Sequence, residues 1–248
     1  MSELLSVTNL KVAFGGVQAL DLNQFSIKEN ELRVIIGPNG AGKSTFMDIL
    51  CGKTKADEGT VIFDGKPILG KAEVEIAEMG IGRKFQKPSV FFSLSVYDNM
   101  LLAYRMPKGI WSSIFFKNNS EIEDRIHDVA KQVGLENELS NIAGDLSHGQ
   151  KQWLEIALVV LQKPKLMLID EPAAGMSDKE TAKTGDLILS LMADHSIIVI
   201  EHDMHFVKQI AVDKVSVLVR GQLLMDGSFE EVRNDPAVIE SYLGSAVK

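Results

Sequence analysis

Cysteine is nearly missing from this 248-residue chain: Cys51 is the single one. One thiol closes no internal disulfide, so burial must hold the fold, and a reducing compartment fits. Cys51 itself reads as a small buried hydrophobe. An excess of positive charge is missing too. The net charge is −8, which disfavours a polyanion such as nucleic acid as partner. Long apolar runs are absent, none reaching the roughly 18 residues of a membrane span. Met1-Ser2-Glu3 is acidic and lacks the basic n-region of a secretory leader, so none is expected. Internal repeats and low-complexity tracts are not found. What remains is 45% hydrophobic and 24% charged, the balance of a soluble globular protein. The length suits one large domain, or one domain with a subdomain.

Gly37-Pro38-Asn39-Gly40-Ala41-Gly42-Lys43-Ser44-Thr45 fits GxxxxGK[ST], the phosphate-binding P-loop. The strand-like run Leu32-Arg33-Val34-Ile35-Ile36 precedes it, and Phe46-Met47-Asp48-Ile49-Leu50-Cys51 reads as a helix after it. Strand, glycine loop and helix are the context the motif needs. Glycines let successive N–H groups turn inward at phosphate oxygens, and the helix N-terminus adds partial positive charge. Lys43 would reach the β- and γ-phosphates, and the Ser44 hydroxyl would bind Mg²⁺.

Strand-like runs recur at Leu5–Val12, Val61–Phe63, Leu166–Ile169, Ile197–Ile200 and Val215–Val219. Those at 166–169 and 197–200 are apolar throughout, which predicts a sheet covered on both faces. Helical spacing lies between: Leu154, Ala157, Leu158 and Leu161, then Thr184, Leu187, Ile188 and Leu191. The alternation predicts an α/β fold with a mostly parallel sheet. From about Lys87 to Lys163 helical signals dominate, and Ile122, Ile126, Val129, Ala130 and Val133 make one helix face. That predicts a helical subdomain of about residues 87–163 inserted into an α/β core of about 1–86 and 164–248.

Leu166-Met167-Leu168-Ile169-Asp170-Glu171-Pro172 is an apolar strand ending in two acids, the Walker B pattern. Asp170 can hold Mg²⁺, and Glu171 can polarise an attacking water. Leu146-Ser147-His148-Gly149-Gln150 resembles the LSGGQ signature of ABC-type ATPases, with His148 in place of the first glycine. The other motifs of that family follow in order. Gln86 looks like the Q-loop glutamine, His202 like the switch histidine, and Ala173 to Asp178 sits where the D-loop should be. Phe14 sits where an aromatic stacks on adenine, with Val17 beside it.

The resemblance implies an ABC-type P-loop core with an antiparallel β segment, and ATP with Mg²⁺ as the bound groups. Catalysis would fall to Glu171, His202, Gln86 and Lys43. Asn39, Gly40, Gly42, Lys43, Ser44, Thr45, Phe14 and Val17 would hold the nucleotide. Ser147, Gly149 and Gln150 would cap it in trans, and Ser44, Gln86 and Asp170 would hold the metal. The site would close in a head-to-tail dimer, homodimeric or with a paralogous ATPase subunit. Two departures stand out. His148 must point away from the nucleotide, and the D-loop aspartate falls at Ser177, with Asp178 next.

A closer likeness lies in Phe14-Gly15-Gly16-Val17-Gln18-Ala19-Leu20, in Ala173-Ala174-Gly175-Met176, and in Asp235-Pro236-Ala237-Val238-Ile239-Glu240-Ser241-Tyr242-Leu243-Gly244. These resemble ATP-binding subunits of bacterial branched-chain amino acid and urea importers. The run from Leu146 to Glu155 looks most like the urea branch, so the resemblance implies urea or a related short amide as first cargo and branched-chain amino acids as second. This implies integral membrane permease subunits as partners, a periplasmic binding protein indirectly, and a cytoplasmic place on the inner face of the plasma membrane. No C-terminal regulatory domain is expected. Lys87-Pro88-Ser89-Val90-Phe91-Phe92 is expected to line the permease groove, with core packing the alternative; Trp111, Phe115 and Phe116 are read as packing. Other readings are an exporter ATPase, a soluble ABC ATPase of translation or DNA repair, and a non-hydrolysing scaffold subunit.

Overall fold

The computed structural model describes residues 3–84, 90–104 and 119–243. Gln86, Lys87, Pro88, Ser89, Trp111, Phe115 and Phe116 lie outside them. Two sheets organise the chain. The larger has six strands in the order β10-β9-β3-β8-β7-β6: β3 Leu32–Ile36, β6 Ile81–Lys84, β7 Leu166–Asp170, β8 Ser196–Ile200, β9 Lys214–Val219 and β10 Gln222–Gly227. Its β9-β3-β8-β7-β6 pairings are parallel, and β10 folds back antiparallel on β9. The smaller sheet is antiparallel, in the order β2-β1-β4-β5: β1 Glu3–Phe14, β2 Val17–Lys28, β4 Glu58–Phe63 and β5 Lys66–Pro67.

The helices are α1 Lys43–Leu50, α2 Glu73–Met79, α3 Val96–Ala103, α4 Asn119–Gln132, α5 His148–Val160, α6 Asp178–Leu191, α7 Met204–Ile210, α8 Phe229–Asn234 and α9 Pro236–Leu243. Alternate side chains of the central strands face two separate cores, because successive strand residues point to opposite faces. Val34, Met167, Ile169, Ile197 and Val199 pack with residues of α4 to α7. Ile35, Leu166, Leu168, Ile198 and Ile200 pack with α1 and the antiparallel sheet. Both faces are therefore covered, as the unbroken apolar runs require. Cys51 caps the C-terminus of α1 and is buried.

The strands β2, β5, β6 and β10 have no counterpart among the strand-like runs of the sequence. In β2 the buried positions run Leu20 and Leu22, then Phe25 and Ile27, so the alternation changes phase midway. Its partner β1 does the same between Val7 and Leu10, around Asn9 at φ 48°. The two strands change phase together without a shift in their mutual register, the shift falling instead between β1 and β4 from Thr8 to Lys11. A strict period-2 search misses β2 because its alternation breaks midway. β6 carries Arg83 and Lys84 at an edge, and β10 alternates half-buried with exposed residues.

Arg33 is the exception inside the otherwise apolar β3. Its side chain is 4% exposed and is satisfied on all sides. It donates to Glu31, to Asp226 of β10, to Ser216 of β9 at 3.0 Å, and to the Ser26 carbonyl of β2 at 3.2 Å. The Phe25 ring lies 5.2 Å away. This one guanidinium ties both sheets together behind the P-loop strand. Removing one partner of a buried pair leaves an uncompensated charge. Arg33→Met is therefore expected to lower unfolding free energy by about 3–5 kcal/mol in urea titration, and an unchanged midpoint would refute the tie.

Candidate functional site

The carboxyl ends of β3, β8 and β7 lie side by side, because Ile35 pairs with Ile200 and Ile200 pairs with Asp170. Ligands of open α/β sheets bind beyond such strand ends. After β3 the chain turns at Gly37, where a Cβ would stand 2.1 Å from the Leu218 carbonyl oxygen of β9. Gly42, at φ 96°, would meet the Ala19 carbonyl at 2.5 Å. No larger residue fits either place. The loop is held from outside as well: Gly221 N–H donates to the Ala41 carbonyl at 3.0 Å, and Asp21 N–H donates to the Gly221 carbonyl at 2.7 Å.

A cavity of about 370 Å³ opens over this loop, lined by Ala19, residues 39–45, Glu171 and Ile200. It brings together Asn39, Gly40, Gly42, Lys43, Ser44, Thr45 and Glu171 from two distant stretches of chain. The Lys43 ammonium donates to the Gly37 carbonyl at 2.6 Å and the Pro38 carbonyl at 3.0 Å. Burial pushes the Lys43 pKa down, while Glu171 and Asp170 pull it up. A larger cavity of about 580 Å³ lies across His202, bounded by residues 173–176 and α7. It lacks the ring of loop amides and the lysine, so the smaller cavity is the one whose lining suits phosphate.

Asp170 ends β7 and is 2% exposed. Neither carboxylate oxygen has a hydrogen-bond partner among the described residues, and Arg83 Nη2 stands 3.7 Å away. Burial raises its pKa, and Arg83 is the main opposing influence. Two orphaned, buried anionic oxygens fit a divalent cation. Among the described residues no group of three or more His, Cys, Asp and Glu gathers to hold a metal. Mg²⁺ needs no such cage, since it binds through one or two protein oxygens plus phosphates.

Glu171 follows at φ 45°. A non-glycine residue pays about 1–3 kcal/mol for such a conformation, so its surroundings must impose it. Its N–H donates to the Ile200 carbonyl at 2.9 Å. Its Oε1 lies 3.3 Å from His202 Nδ1, and the histidine side chain is 62% exposed. Between them sits a residue that sequence reasoning passed over. Glu201 is 1% exposed. Its Oε1 accepts from Ala173 N–H at 3.2 Å, and its Oε2 from His202 N–H at 3.0 Å and Asp203 N–H at 3.5 Å. One buried carboxylate thus joins the loop after Glu171 to the loop bearing His202. The signal was present in the sequence: an acid between an apolar strand and the histidine.

Phe14 and Val17 flank the Gly15-Gly16 turn of the β1–β2 hairpin and are 54% and 70% exposed, so Phe14 is not a core residue. Ala19, two residues further on, reaches the P-loop cavity. Ser147, Gly149 and Gln150 start α5 and do not line that cavity. Ser147 Oγ accepts from Gln150 N–H at 3.2 Å, and Gln150 Oε1 accepts from Ser147 N–H at 2.9 Å. The Gln150 oxygen thus caps its own helix, while its Nε2 donates to Glu138 Oε1 at 3.2 Å. Ser177 caps α6 in the same way with Glu180, and Asp178 is exposed. Val90 is 7% exposed and packed in the core, correcting its expected place on a groove, whereas Phe91 and Phe92 are 60% and 47% exposed.

Fold and site together define an α/β P-loop ATPase of the cassette type. The family described as ABC transporter matches residues 20–174, and that described as branched-chain amino acid ATP-binding cassette transporter matches residues 222–248. The chain belongs to the ABC transporter family and is an ATP-binding ATPase of it. It is 36% identical to the high-affinity branched-chain amino acid transport ATP-binding protein LivG of Salmonella typhimurium, over 98% of each chain. It is 34% identical to BraF of Pseudomonas aeruginosa, a protein of the same description, again over 98% of each. Among solved structures it resembles an ATP-binding cassette of an ABC transporter in its ADP conformation, with TM-score 0.87, 31% identity, and coverage of 98% of this chain and 100% of the other. Among the described residues no helix is long and apolar enough to cross a membrane.

Charge-assisted hydrogen bonds are worth about 1.5–3 kcal/mol each, so losing the Glu201 brace is expected to slow turnover by roughly 10–100-fold in Glu201→Ala. Steady-state ATPase assays alongside nucleotide-binding titrations check this. Wild-type turnover would show that the two loops need no common anchor.

Proposed function

We propose that this chain is the ATP-hydrolysing subunit that energises a bacterial importer, with branched-chain amino acids as first choice of cargo. The contact of 3.3 Å between His202 and Glu171, which lines the P-loop cavity, carries the mechanistic reading. The amides of residues 40–45 and the Lys43 ammonium would hold the β- and γ-phosphates. Mg²⁺, when bound at Ser44 and Asp170 with Gln86, would neutralise charge on those phosphates. Glu171 would take a proton from the attacking water, and His202, donating from Nδ1, would orient the carboxylate. Phe14 would stack on adenine, with Val17 beside it; both are exposed as that role requires.

Ser147 and the Gly149 amide would cap the nucleotide of a second subunit, in a homodimer or with a paralogous ATPase. We place the α/β core at about residues 1–86 and 164–248 and the helical subdomain at about 87–163. In support, the described residues 90–104 and 119–163 hold three α-helices, one 3-10 turn at Ala143–Asp145 and, apart from one isolated bridge between Ser95 and Ile142, no strand pairing. Phe91, Phe92 and Leu102 are exposed and would serve as the surface for a permease, with the chain on the cytoplasmic face of the plasma membrane. A periplasmic binding protein would act upstream, without touching this chain.

The cargo rests on the relatives, which are described as branched-chain amino acid transport proteins. Urea or a related short amide is the second reading. It rests on the run from His148 to Trp153 and on Met176, which resemble the urea branch. Neither segment contacts cargo, so both report ancestry alone.

Glu171→Gln is expected to cut turnover by about 10²–10⁴-fold, the contribution of a general base, while ATP binding persists. An ATP-bound dimer should then accumulate in sedimentation with Mg-ATP. Full turnover in the variant removes Glu171 from the role. For cargo, deletion of this chain should abolish uptake of labelled leucine at low supply and spare labelled urea. The reverse pattern selects urea, and loss of neither rejects both.

A further inference from the structure

His148, the residue that departs from the signature glycine, turns its ring toward its own chain. Its Nε2 lies 2.9 Å from the Ala174 carbonyl oxygen. A carbonyl only accepts, so Nε2 carries the proton and donates, in the neutral Nε2–H tautomer and in the imidazolium alike. Ala174 N–H donates in turn to the Glu171 carbonyl at 3.3 Å, closing a turn across Pro172 and Ala173. His148 is thus two hydrogen bonds from the backbone of Glu171. The neighbouring Gly175, at φ 72°, leaves room for the ring: a Cβ there would stand 3.2 Å from Nε2.

Other links join the same two elements. Ser147 Oγ lies 3.4 Å from Glu180 Oε1, and Trp153 Nε1 donates to Thr184 Oγ1 at 2.9 Å. Both fasten α5 to α6, but neither reaches the 171–174 turn. On its far side that turn is held by Glu201, through Ala173 N–H. The turn is therefore clamped between His148 on the signature segment and Glu201 on the loop bearing His202.

We propose that His148 is a positioning residue that ties the signature segment to the Glu171 turn of its own chain. The segment that caps the partner's nucleotide and the general base for the chain's own nucleotide then move as one body. The inference rests on the trans capping and the base role proposed above. Phosphate contact by Ser147 and Gly149 does not need the imidazole. Losing it leaves nucleotide capture in place and frees the turn on one side. Turnover and the coupling between the two sites should suffer, not affinity.

The test compares His148→Leu with His148→Gln in the full chain. Leucine keeps bulk without a donor; the glutamine amide keeps an N–H donor at similar reach. His148→Leu is expected to lower kcat about three- to tenfold, the worth of one neutral hydrogen bond, with KM for ATP within about twofold. Its Hill coefficient should fall toward about 1 as site coupling is lost. His148→Gln should retain kcat and cooperativity, and thermal melts should agree among all three proteins. Wild-type kcat and cooperativity in His148→Leu would overturn the proposal, as would equal loss in both variants or an effect on KM alone. Failure of Glu171→Gln to dimerise with Mg-ATP would instead remove the trans reading, and with it the coupling, whatever the His148 variants do.

Discussion

The parallel hydrogen-bond ladder β3–β8–β7 sets everything else in place. Its register puts Ile35, Ile200 and Asp170 in one row across three strands. Each strand then ends within two residues of a chemical group: Gly37 of the P-loop, Glu201 and His202, Asp170 and Glu171. A one-residue slip would turn every side chain of a strand to the opposite face. Here both faces are packed by different cores, so a slip would bury the wrong residues on both at once. The apolar packing that stabilises the sheet is thereby the same constraint that aligns the site.

Beyond the strand ends, backbone satisfaction takes over from packing. Loops at a sheet edge carry N–H groups that no ladder serves, and buried donors must find partners. Glu201 serves three of them at once. A carboxylate with that many N–H donors stays compatible with burial, because its charge is shared among oriented dipoles. Asp170, two strands' width from the P-loop and equally buried, has no such donors. The contrast separates two roles that look alike in sequence. Glu201 is satisfied by the protein itself. Among the described residues Asp170 has no hydrogen-bond donor for either oxygen, and Arg83 stands 3.7 Å away.

How much of this was legible depended on where the physics is local. The P-loop, β3, β7, β8 and the helix faces could be read because a glycine spacing or an apolar period spans contiguous residues. Leu166-Met167-Leu168-Ile169 and Ile197-Ile198-Val199-Ile200 lie within a residue of their observed strands. β2 could not be read, because its buried positions change phase midway, at Asn23 and Gln24. Val90 looked like its neighbours Phe91 and Phe92, yet it packs beneath them; three adjacent apolar residues do not announce which one turns inward. Glu201 left only its place as a mark, an acid between an apolar strand and a histidine; what it holds could not be read, and neither could the bond from His148 to Ala174. Their partners are backbone groups brought near by tertiary folding, and backbone groups leave no mark in side-chain patterns.

β6 shows how charge inside the fold is divided. Arg83 and Lys84 are adjacent, so they point to opposite faces of the sheet. Arg83 reaches Asp48 of α1 and stands near Asp170, while Lys84 pairs with Glu155 of α5 at 3.3 Å. Burial raises the Glu155 pKa, with Lys84 the main influence holding it down. Two buried cations one residue apart would repel strongly in a low dielectric unless each had its own anion. The strand solves this by sending one to each core. One edge strand is thereby tied by charge both to the helix that follows the P-loop and to the helix that begins at the signature. Replacing either ion by an apolar residue alone would strand its partner. The two pairs therefore constrain the relative placement of those helices more sharply than apolar contacts do, since apolar contacts tolerate sliding and a buried ion pair does not.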